Sequence, residues 1–197
     1  MNDFFIFAHL GFRHIMDING SDHMLFILAL VIRYMAADWK KILILVSSFT
    51  IGHSITLALS TLEWIYFPMY LIELLIPITI LFTALSNLLV KDFSYAAKYH
   101  IIYYLALFFG LIHGLGFSNY LKSLLGKEES ILLPLFSFNL GLELGQLLIV
   151  GCILVFAFLL VNRFEIDRKS YIRIGSFITI GLSLIMIIDR IKPFLNK

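Results

Sequence analysis

The sequence predicts an all-α fold: a polytopic transmembrane helical bundle of six to seven spans, built as a single domain over residues 1–197. Three observations carry that expectation. Apolar residues make up 60% of the chain and charged residues only 14%, too few to cover the surface of a soluble domain of this size. Mean hydropathy is +0.95. Several runs of about 20 residues hold little or no charge, which is the length a helix needs to cross an apolar layer roughly 30 Å thick.

Apolar length and helix breakers place the elements. A short helix near 4–18 either crosses or dips into the bilayer, and spans follow near 22–37, 42–62, 69–90, 101–120, 132–161 and 172–190. In "NGS", Gly20 ends one helix and Ser21 is available to cap the next. Pro68 and Pro134 lie near helix starts, where the missing N–H costs nothing, and Pro193 follows the last span. The run 132–161 is too long for a straight crossing at about 1.5 Å per residue, so tilt, protrusion or a break near Gly141 is expected.

The net charge of +2 and the scatter of basic residues in short connections exclude a nucleic-acid footprint. Those residues report topology instead. With the first helix crossing, Arg33, Lys40, Lys41, Lys91, Lys98, Arg163, Arg168, Lys169 and Arg173 share one side. Arg13, Lys122, Lys127, Arg190, Lys192 and Lys197 share the other, so the first set is expected in the cytoplasm. A lone Cys152 excludes an intrachain disulfide and disfavours thiolate metal chemistry. The first apolar run leads into Arg13 and His14 with no small-residue cleavage site, so no cleaved signal peptide is expected.

Ionisable residues inside the spans are the informative ones, because each costs a few kcal/mol in hydrocarbon unless it faces a partner, an ion or a wet cavity. They are Asp22 and His23 at the second helix start, His53, Glu73, His113 and Glu143, with His14 arriving from the preceding segment. Asp22 and His23 project about 100° apart, which suits two neighbours or one straddled site. Asn139, Glu143 and Gln146 share one helix face. Thr50, Thr56 and Ser60 offer hydroxyls to fix the His53 tautomer, and Pro77 frees the Glu73 carbonyl. Gly110, Gly114 and Gly116 allow close helix approach around His113.

Neutral imidazoles with carboxylates in a dry setting suit a divalent transition metal. The expected ligands are His14, Asp22, His23, His53, His113 and Glu143, with Glu73, Asn139 and Gln146 supporting them or relaying the ion. The bland alternative is that these groups only hydrogen-bond between helices, at about 0.6 kcal/mol per bond. His9 and His100 are expected at membrane interfaces, and Asp189 with Arg190 as a terminal pair facing water.

The series "GFRHIMDINGSDHMLFILAL", "FTIGHSITLALS", "IELLIPITILFTALSN", "FFGLIHGLGFSNYL" and "FNLGLELGQLLIV" resembles the HupE/UreJ family of bacterial membrane proteins, in the family's order, from about residue 9 to 150. The resemblance implies a multi-pass inner-membrane protein of metal uptake, best known for nickel. The family's N-terminal His and Asp-His pattern falls on His14, Asp22 and His23, and its histidine-glycine motif on His113 and Gly114. Seven residues separate His14 from Asp22, and no glutamate closely follows His113-Gly114, which resembles the family's second branch. Two functions follow. One is a permease for a divalent cation (Ni, Zn, Co, Fe or Cu), with the cation and the lipid bilayer as partners and a homo-oligomer allowed. The other is an intramembrane metalloenzyme holding Zn or Fe.

Overall fold

The computed structural model describes residues 3–18, 20–89, 101–125 and 131–195. All regular structure among them is helical: α1 (Asp3–Ile15), α2 (Asp22–Val31), α3 (Trp39–Thr61), α4 (Met69–Leu89), α5 (Ile101–Leu125), α6 (Leu132–Phe158) and α7 (Arg168–Leu195). A 3-10 turn, Ala36–Asp38, leads into α3, and a π turn, Leu159–Arg163, extends α6. Four helical stretches, Ala36–Thr61, Met69–Leu89, Leu132–Arg163 and Arg168–Pro193, are long and apolar enough to cross a membrane. Lys91, Lys98, His100, Lys127 and Lys197 lie outside the described residues.

Three boundaries differ from expectation. The helix expected over 22–37 closes at Val31 after 10 residues, about 15 Å, or half an apolar layer. A tight turn follows, with the Ile32 N–H donating to the Leu28 carbonyl and the Tyr34 N–H to that of Val31. The 132–161 run does not break at Gly141. It stays helical because Gly141 meets a neighbouring backbone rather than a bend, and the surplus length is absorbed beyond Phe158 by the π turn. The last helix also runs through Pro193 to Leu195.

Glycine sets the tightest packing. A Cβ at Gly110 would collide with the Phe49 carbonyl and one at Gly114 with the His53 carbonyl, so α5 lies against the α3 backbone. Likewise a Cβ on Gly11 would strike the Phe138 carbonyl and one on Gly141 the Ala8 carbonyl, joining α1 to α6. Without a hydrophobic drive between helices in lipid, such backbone contact is the main source of their association. α4 packs chiefly on α7, and α2 on α4.

The centre of the bundle is aromatic. Phe26, Phe49 and Phe138 are each no more than 1% exposed, and Leu45, Leu57, Ile72 and Ile80 close the space around them.

Candidate metal site

α1 stops at Ile15 and α2 begins at Asp22, so the helical run is interrupted between them. The interruption is where the histidines gather. His14 leaves the end of α1, His23 opens α2, His53 comes from the middle of α3, and His113 is the thirteenth of the 25 residues of α5.

The His14, His23 and His53 rings each offer a nitrogen, and these three atoms lie within 4.8 Å of one another. A metal bound at roughly 2.0–2.1 Å would draw tetrahedral nitrogens to about 3.4 Å apart, so the trio needs only a small closure. His113 adjoins them, its ring centroid 5.2 Å from that of His23. His23, His53 and His113 are 5%, 0% and 1% exposed, and Phe26, Phe49, Phe117 and Phe138 wall the group.

Hydrogen bonds fix two tautomers. The His23 Nδ1 lies 2.9 Å from Asp22 Oδ1, an acceptor, so Nδ1 carries the proton and Nε2 presents its lone pair. The Thr79 hydroxyl donates to the Ile76 carbonyl at 2.7 Å. Its oxygen can therefore only accept from His113 Nε2, 3.4 Å away, which leaves His113 Nδ1 bare. His14 Nε2, His23 Nε2, both ring nitrogens of His53 and His113 Nδ1 are buried without a hydrogen-bond partner. Each such orphan costs about 1–3 kcal/mol. Histidines kept only to hydrogen-bond helices together would be paired.

The other expected residues are placed differently. Asp22 serves His23: its Oδ1 accepts from both the ring and the backbone N–H of that residue, so the two adjacent side chains meet instead of facing separate neighbours. Ser21 makes no side-chain cap. Glu143 accepts from Ser47 at 2.8 Å and Gln146 accepts from Thr50 at 2.7 Å, joining α6 to α3. Ser47 precedes His53 by six residues, about 9 Å along the helix, so Glu143 sits to one side of the histidines. Asn139 donates to the Leu135 carbonyl of its own helix. Glu73 pairs with Arg190 at 3.1 Å on a half-exposed face, while Asp189 pairs with Lys192. The hydroxyls near His53 do not orient it. Thr56 bonds its own helix backbone and Ser60 bonds Ser118.

Thr79 and Phe117 carry no sequence signal of a site, yet the Thr79 hydroxyl lies 3.4 Å from His113 Nε2 and the Phe117 ring packs tilted against His14, centroids 3.9 Å apart. A cavity of about 1010 Å³, lined by Arg13, His14, Met16, Asp17 and Phe117, opens onto the His14 side.

A family model described as HupE / UreJ protein matches residues 1–190. The chain belongs to the HupE/UreJ family. No curated protein and no solved structure matches it. Membership in HupE/UreJ and the four long apolar helices make it a membrane protein. His14, Asp22, His23 and His113, separated by up to 99 positions in the chain, are brought together in the bundle.

Proposed function

We propose that this protein carries a divalent transition-metal cation, of the nickel or cobalt type, across a bacterial inner membrane. His14, His23 and His53 form the transit site, and His113 supplies a fourth nitrogen. The observation that carries this reading is the set of buried imidazole nitrogens without a hydrogen-bond partner, with one nitrogen from each of His14, His23 and His53 within 4.8 Å of the others. Asp22 holds His23 from behind, and Glu143 with Gln146 lines the α3–α6 seam beyond it.

In this reading α1 and α2 together make one broken crossing, for six in all, with the α2–α3 and α6–α7 connections in the cytoplasm. Interrupted helices with sites at the break recur among transporters. A site that closes its ligands only on binding also releases its ion, as conduction requires. The cavity beside His14 is the entry.

The test is flux. Purified protein in liposomes is expected to take up Ni²⁺ or Co²⁺, and His23→Ala and His53→Ala to reduce uptake by at least about tenfold with folded yield unchanged. Protein that keeps stoichiometric metal through chelator washing and shows no flux would sink transport in favour of a resident metal.

A further inference from the structure

A groove of about 570 Å³ lies between α2, α6 and α7, lined almost wholly by apolar side chains. On α2 its row runs Leu28 to Ile32, on α6 Phe156 to Leu160, and on α7 Ile178 to Tyr171. Each row is followed at the same end by an arginine: Arg33 after Ile32, Arg163 after Leu160, and Arg168 before Tyr171. Two of them are also tied together, because Arg168 Nη2 donates to the Arg33 carbonyl at 2.7 Å. Arg163 is exposed, and Lys169 and Arg173 add charge on the adjoining turn.

We propose that this groove is a binding site for an anionic phospholipid. One acyl chain occupies the apolar rows, and the phosphate sits on Arg163 and Arg168. The chemistry is complementary at both ends. Apolar walls that water would fill at a cost take a hydrocarbon chain, and a phosphate at the leaflet surface meets a fixed guanidinium fork. Two acids, Glu165 and Asp167, share the loop, and Asp167 is turned to the Ser170 N–H and hydroxyl, so the basic residues stay in excess. A zwitterionic lipid fits the groove equally well and lacks the net charge, so headgroup selectivity separates this site from ordinary lipid contact.

The experiment is lipid retention by the delipidated full-length protein in native mass spectrometry, with dioleoylphosphatidylglycerol set against dioleoylphosphatidylcholine. The expected result is preferential retention of the glycerol lipid, weakened about fivefold by Arg163→Gln. Ile174→Trp, at an exposed groove position, is expected to abolish retention by filling the space. Both substitutions are on exposed side chains, and the unchanged thermal midpoint of each lipid-free variant checks its fold. Equal retention of the two lipids, or undiminished retention by either variant, overturns the proposal. No metal enters the measurement, so its outcome is independent of the transport reading.

Discussion

Asp22 does more than hold a ring in place. By accepting the His23 Nδ1 proton it raises the electron density at Nε2, and a carboxylate behind an imidazole is typically worth 10–100-fold in metal affinity. Asp22→Asn is therefore expected to weaken Ni²⁺ or Co²⁺ binding by about that factor, read by competition titration. Thr79→Val should instead free the His113 tautomer, with a smaller loss of affinity. Away from the bilayer core, Glu63 donates nothing and accepts from Lys122 at 2.9 Å; that hydrogen bond and charge hold its carboxyl below the usual value of 4.5. A depressed carboxyl stabilises the fold above its unfolded pKa and stops doing so as pH falls through the folded one. The link between the ends of α3 and α5 is thus expected to be intact at neutral pH and lost in acid below about pH 4.5. Side-chain carboxyl NMR of Glu63, with Lys122→Met as control, reads the shift directly. At this scale the sequence showed the candidate residues, since ionisable groups in apolar runs stand out. It could not show partners, because Ser47 and Glu143 are 96 residues apart and only the fold joins them.

The helices have punctuation that sequence patterns understate. α3 ends with Glu63 at φ 62°, while the Trp64 N–H reaches back to the Leu59 carbonyl and the Glu63 N–H to that of Ser60. That closing motif ordinarily uses glycine, which has no Cβ to crowd the left-handed backbone. Glu63→Gly is expected to raise the thermal midpoint, since an exposed ion pair returns little. Gly110 works in the opposite sense. Any side chain there meets the Phe49 backbone, and Gly110→Val is expected to destabilise by at least about 1–3 kcal/mol, seen as loss of folded yield or an early thermal transition. Gly110 and Gly114 were readable as a close-packing pattern from their spacing. Gly141 invited the opposite reading, because a glycine in an overlong run signals a bend as readily as a contact, and nothing local in α6 reveals α1 lying across it.

Taken as a whole, the bundle is a set of helix pairs more than a uniform barrel of helices. α3 and α5 are joined backbone to backbone, as are α1 and α6, and α4 lies along α7. His53 and His113 ride on the first pair and His14 on the second. Between these two pairs run the hydroxyl contacts Ser47–Glu143 and Thr50–Gln146. For the proposed transport, these pairs are the units expected to move against one another. In a protein with Cys152 replaced by Ser, a short thiol cross-link between cysteines placed on α3 and α6 is expected to stop metal flux. The same reagent across α3 and α5 should leave flux near normal. The all-helical membrane fold was legible from composition alone, whereas the half-length of α2 was not. Its apolar pattern continues through Ile32 and Tyr34, and the turn that ends it depends on how the chain packs afterwards.

The gap between α1 and α2 has one more consequence. Between Ile15 and Asp22 the backbone leaves the helical pattern, with Met16, Asp17 and Gly20 still donating to carbonyls a few residues back. The adjoining cavity carries Arg13 and Asp17 in its wall beside His14, so its lining is partly charged. In the transport reading proposed above, a cation arriving through that cavity is expected to exchange its water for imidazole nitrogen first at His14, which lines the wall.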